Sequence, residues 1–142
     1  MSDELIFRFD VDGDDFTSAG QASVQIKKNL RQLCIPSEII RRVSIAMYEG
    51  EINMVIHANG GHITVDITPE QIIMILKDVG PGIEDIEKAM QAGFSTASSN
   101  VRSLGFGAGM GLPNMKKNSD TMNIQTVLGV GTTVTMTVNM QA

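Results

Sequence analysis

A two-layer α/β sandwich with a mixed, largely antiparallel sheet is the fold class this sequence predicts, and three observations predict it. Helix-period and strand-period segments come in mixed blocks, without the regular strand-helix-strand alternation of a parallel sheet. Two pairs of strand-like runs are joined by short turn segments, as antiparallel hairpins require. A length of 142 residues suits one domain over 1–142, enough to bury roughly two thirds of the unfolded surface around one core.

Each element has its own reason. In LIFRFDVDGDD, Phe7, Phe9 and Val11 alternate with Arg8, Asp10 and Asp12 ahead of an Asp/Gly cluster, which predicts a first strand and a turn. From Phe16 to Leu33 the spacing of Ala22, Ile26, Leu30 and Leu33 predicts an amphipathic helix. Ser37 is placed to cap a second helix that runs through Val43, Ala46, Met47 and Met54 towards Ala58, with Asn59, Gly60 and Gly61 to stop it. HITVDI and QIIMILKDV form the first hairpin about Thr68 and Pro69. A short helix, IEDIEKAMQ, follows DVGPG. The stretch from Ala92 to Gly111 is rich in Gly and Ser and long for a loop, which favours a functional lid. Leu112 to Asn118 restarts a helix, with Pro113 tolerated in its first turn. TMNIQTVLGVGTTVTMTVNM closes the chain as a second hairpin turning at Leu128 to Gly131.

Composition narrows the function. The net charge is -5 with 11 Lys and Arg, which argues against a nucleic-acid surface, because neutralising phosphates takes clustered cations. No apolar run is long enough to span a bilayer and the N-terminus is acidic, so a cytoplasmic protein without a membrane contact is expected. Cys34 has no second cysteine to pair with, and His57 and His62 are too few for a zinc site, so no structural metal is expected.

Four segments carry residues suited to chemistry. Glu49, Asn53 and His57 lie four apart on the second helix and share one face, while Glu51 points nearly the opposite way. Glu49 is suited to accept a proton and the Asn53 oxygen to ligate magnesium, although a solvated helix stripe explains the same spacing. In DVGPGI, Gly80 and Gly82 permit a sharp turn close to a flat ligand, and Asp78 can accept from an exocyclic amine such as that of adenine; a plain turn reads similarly. GFGAGMGLPNMKK sets Gly105, Gly107, Gly109 and Gly111 ahead of a helix, a candidate phosphate cradle. GVGTTV supplies Thr133 beside turn glycines that need have no other role.

Taken in order, EGEINMVIH, DVGPGI, GFGAGMGL and GTTV resemble the asparagine box and three glycine boxes of the GHKL superfamily, which includes gyrase, a heat-shock chaperone family and histidine-kinase ATP domains. The resemblance runs from about Phe7 to the end and implies the Bergerat ATP-binding fold. It implies Glu49 as general base, Asn53 as magnesium ligand and Asp78 as adenine reader, with Gly80 and Gly82 beneath the base. Gly107, Gly109 and Gly111 would hold phosphates, and Thr133 would support the adenine side. Within the superfamily the chain is most similar to freestanding bacterial anti-sigma factors and switch kinases, which phosphorylate serine or threonine on small antagonist proteins. NMVIHA with His57, IEDIEKAMQAGFSTA, and a chain ending where the ATP domain ends carry that choice. Gly50 stands where the family leads one to expect alanine. Arg102 is placed to steady a phosphoryl group or simply to be solvated, as Lys116 and Lys117 are.

The expected function is therefore a magnesium- and ATP-dependent serine/threonine protein kinase acting on an antagonist-type regulator, with a sigma factor as a further partner. Two other readings stay open: an ATP-gated module that captures a sigma factor without chemistry, and the detached ATPase half of a two-component sensor. The partner's identity and the oligomeric state, a homodimer included, are also open.

Overall fold

The computed structural model describes residues 4–13, 19–91 and 111–140. Five strands, β1 (Leu5–Asp12), β2 (Gly60–Ile67), β3 (Gln71–Asp78), β4 (Thr121–Val127) and β5 (Gly131–Asn139), form one sheet in the order β1-β2-β3-β5-β4. Among the described residues every neighbouring pair is antiparallel, where a mixed, largely antiparallel sheet was expected. Helices α1 (Gln21–Gln32) and α2 (Ser37–Ile56) pack on one face, with the short α3 (Ile86–Ala89) and α4 (Gly111–Lys117) completing the described helices. The two-layer α/β sandwich is thus as expected.

The strand alternation explains the layers. Ile63, Val65 and Ile67 of β2, Ile72, Met74 and Leu76 of β3, and Val134, Met136 and Val138 of β5 point to the helices and are buried. Ile26 and Leu30 of α1 and Val43, Ala46, Met47 and Met54 of α2 meet them. Among the described residues, Met47, Met54, Met74, Met115 and Met136 are buried in this core. Unbranched thioether side chains fill gaps between layers that the chain's few aromatic residues cannot. No helix among the described residues is long and apolar enough to cross a membrane.

Several boundaries differ from the sequence reading. Helix α1 begins at Gln21, not near Phe16, and residues 14–18 lie outside the described residues. Ser37 does not cap α2: Pro36 holds that position with extended dihedrals, and Ser37 makes no capping bond. Helix α2 ends at Ile56 with His57 as its C-terminal cap, and Gly60, at φ 83, turns the chain into β2. The helix restart expected at Leu112 to Asn118 is α4, one residue earlier at each end, and the last hairpin turns where expected, between Val127 and Gly131. Of the lid segment expected from Ala92 to Gly111, residues 92–110 lie outside the described residues and Gly111 opens α4.

Gly50 lies where α2 crosses the sheet, and a methyl group there would collide with Leu76 Cδ2 and come within 3.2 Å of Met115 Cε. Alanine would add about 1 kcal/mol of helix propensity, but overpacking a filled core costs about 1–3 kcal/mol. Gly50→Ala is therefore expected to lower the urea midpoint despite the better helix former. An unchanged or higher midpoint would show that Leu76 repacks without cost.

Candidate functional site

Helix α2 organises the site. Its Glu49 and Asn53, four residues apart, are both half-buried and face α4. Asn114 of α4 donates a side-chain hydrogen bond to the Glu49 carboxylate. Asn53 Nδ2 lies 3.7 Å from Met115 Sδ, a weak bond to the thioether. A Cβ at Gly111 would come 2.9 Å from both Oδ1 and Nδ2 of Asn53, so only glycine lets the α4 backbone rest on that carboxamide. Burial raises the Glu49 carboxyl above its ordinary value, and the Asn114 bond offsets part of the rise.

The second cluster joins β3 to the last hairpin. Asp78 Oδ1 accepts from the backbone N–H of Thr132 at 2.8 Å. Burial raises this carboxyl too, with the Thr132 N–H working against the rise. Thr126 Oγ1 accepts from the N–H of Ile83 at 2.9 Å and lies 3.0 Å from Thr132 Oγ1. Gly80 N–H donates to Val130 O at 3.1 Å and Gly129 N–H to Pro81 O at 2.9 Å. DVGPGI and the GVGTTV turn, far apart in sequence, are therefore one unit. Gly82, at φ 82, comes too close to Val127 O and Thr126 Oγ1 for a side chain to fit. The unit is bound to the end of α2, since Asn59 N–H donates to Val79 O at 2.7 Å and Gly80 packs on Ala58.

Glu49, Asn53, Asp78, Gly80, Gly82 and Gly111 are thus gathered around the C-terminal half of α2. Thr133 is not. It pairs with Lys77 and Gln125 on the other face of the sheet, and Thr132, buried at 6% exposure, stands beside Asp78 instead. Gly105, Gly107, Gly109 and Arg102 lie outside the described residues. Lys116 and Lys117 are exposed.

Sequence reasoning also passed over Thr126, Asn114 and Glu51. Glu51 is 3% exposed and accepts four hydrogen bonds at the start of α1. The signal for it was indirect: no Ser, Thr, Asp or Asn stands immediately before Gln21, so that helix needed a cap from elsewhere. A groove of about 430 Å³ runs between α1 and α2, with Gly20, Ser23 and Lys27 on one side and Ser44, Tyr48 and Glu49 on the other.

The chain is similar to several known proteins. The family described as histidine kinase-, DNA gyrase B- and HSP90-like ATPase matches residues 39–142. The serine/threonine-protein kinase RsbT of Bacillus subtilis is 33% identical over 97 residues, covering 66% of this chain and 67% of that protein. An anti-sigma F factor of Caldanaerobacter subterraneus is 37% identical over 105 residues, 70% of each chain. That of Pasteuria penetrans is 28% identical over 139 residues, 90% of this chain and 89% of its own. Among solved structures, a mycobacterial sensor histidine kinase, MprB, shares the fold with a TM-score of 0.54 at 15% identity, over 95% of this chain and 97% of that one. With the family model spanning well over half its length, this chain belongs to the histidine kinase-, DNA gyrase B- and HSP90-like ATPase family.

Proposed function

We propose that this chain is a single-domain cytoplasmic serine/threonine protein kinase of the anti-sigma regulatory type. It binds ATP with magnesium and transfers the γ-phosphoryl group to a hydroxyl of a small antagonist-type protein, with a sigma factor as a further partner. The relatives named as a serine/threonine-protein kinase and as anti-sigma F factors support the reading. The observation that carries it is that half-buried Glu49 and Asn53, four residues apart on α2, both meet α4, the first at Asn114 and the second at Gly111 and Met115.

In this reading Glu49 accepts the proton of the attacking hydroxyl, and burial suits it to that work by raising its basicity. Asp78 keeps one oxygen on the Thr132 N–H and offers the other to the exocyclic amine of adenine, with Thr132 and Thr126 holding the pocket wall. Gly80 and Gly82 form the turn below the base, and Gly105, Gly107, Gly109 and Gly111 give backbone N–H groups to the phosphates. A carboxamide oxygen beside a carboxylate fits magnesium held chiefly through the nucleotide's phosphates, as this hard cation is commonly bound. Asn53 would hold the ion, which supplies charge neutralisation for the transferring group. Catalysis is then mostly positioning.

Asn53→Ala is expected to weaken ATP binding about tenfold, the loss of one charge-assisted contact, and only when magnesium is present. Equal affinity of variant and wild type in titrations with and without magnesium would remove Asn53 from the metal. The kinase reading itself is tested by incubating the protein with γ-labelled ATP and candidate antagonist proteins. Label on a serine or threonine of the partner is expected; label on histidine, or on no partner, would overturn the reading.

A further inference from the structure

We infer that Glu51 is a positioning residue for phosphoryl transfer: by clamping the first turn of α1 to α2, it sets the wall beside Glu49 that the acceptor hydroxyl must meet. The inference rests on the kinase reading above and adds a residue that the reading does not use.

The geometry is specific. Helix α1 has no cap of its own, because Gly20 stands at its N-cap with φ 96 and no side-chain bond. The four N–H groups of a first helical turn have no partner within the helix. Here the cap comes from α2. Glu51 Oε2 accepts from Gly20 N at 2.9 Å and Ala22 N at 3.1 Å. Oε1 accepts from Ser23 N at 3.0 Å and Ser23 Oγ at 2.7 Å. Both carboxylate oxygens are doubly occupied, and the side chain is buried. An anion at a helix N-terminus is also favoured by the helix dipole.

This clamp sits about half a turn from the chemistry. Glu51 is two residues from Glu49 and two from Asn53 on the same rigid helix. The turn it holds supplies Gly20 and Ser23 to one wall of the groove whose other wall contains Glu49. The contacts of Asn53 and Asp78 with α4 and with the last hairpin involve no residue of α1. Loosening the clamp should therefore disturb the approach to Glu49 while leaving the nucleotide side in place.

The test uses as acceptor a serine-bearing antagonist protein that the wild type labels from γ-labelled ATP. In Glu51→Gln one oxygen becomes an NH2 group facing N–H donors, whichever way the amide turns. Expected is a fall in kcat/KM for the acceptor on the order of 10- to 100-fold, the scale of a small misplacement, with the Kd for ATP unchanged. Ser23→Ala removes only the Oγ bond and should produce a smaller fall of the same kind. Because both act on one contact, the double variant should fall little below Glu51→Gln alone.

Unchanged acceptor kcat/KM in folded Glu51→Gln would overturn the inference. So would a parallel loss of ATP affinity, which marks general loosening of the fold, or strictly additive losses in the double variant. Should Glu51→Gln not fold, Ser23→Ala decides by the same two readouts: a fall for the acceptor at constant ATP affinity supports the inference, and no fall overturns it. Absence of label on any partner with the wild type withdraws the kinase reading, and this inference with it, before any variant is made.

Discussion

Glu49→Gln is expected to keep ATP affinity nearly intact and to abolish phosphoryl transfer. The amide preserves the shape of the side chain but cannot accept a proton, and general-base assistance is commonly worth about 10²- to 10⁴-fold. Folding does not confuse the result. Burial raises the Glu49 carboxyl above its ordinary value, so the native state holds that proton more tightly than the unfolded chain. The group's contribution to stability is then fully present below the unfolded value and is lost as pH rises through the native one. At neutral pH the variant should be no less stable than the wild type, which thermal melting can check. The same shift sets the acid limb of the rate profile above that of an unperturbed glutamate, since the base must be ionised. Asn114→Ala, by removing the bond that offsets the rise, should move that limb to still higher pH. Transfer by Glu49→Gln at the wild-type rate would remove this residue as the base. Partner capture without any transfer by the wild type would favour an ATP-gated binder.

Asp78→Asn is expected to weaken ATP binding by about 10- to 100-fold, the scale of a lost hydrogen bond to a charged group. Its effect on stability should be small. Asparagine keeps an oxygen for the Thr132 N–H, and burial has raised the Asp78 carboxyl. As with Glu49, the stability linked to that proton is present at low pH and lost as pH rises through the native value, so a neutral amide is no loss at pH 7. The wild type should also prefer ATP to GTP, because guanine lacks the exocyclic amine at the corresponding position. Equal binding of the two nucleotides by the wild type would defeat the assignment.

The strands and the faces they bury were legible because period-two alternation survives in a single sequence, as Phe7, Phe9 and Val11 show. The residues of the asparagine box were legible because a spacing of four leaves them on one face of one helix. That Thr132 and not Thr133 stands beside Asp78 was hidden by the same alternation: a shift of one residue reverses the face of a strand, and two adjacent threonines give no local sign of which one faces Asp78. The start of α1 was misplaced because its cap comes from Glu51, about 30 residues further along the chain. Local patterns carry no record of such a partner. The pairing of the DVGPGI loop with the last hairpin was hidden likewise, since the bonds from Gly80 to Val130 and from Gly129 to Pro81 join segments that only the sheet brings together.

The fit of Gly50 against Leu76 and Met115 makes the volumes at these positions a shared quantity. A relative that carries alanine at the position of Gly50 would need a smaller side chain at the position of Leu76, valine in place of leucine. Aligned homologues should therefore show the two columns varying together, large with small. The double exchange Gly50→Ala/Leu76→Val should likewise be tolerated better than the first change alone.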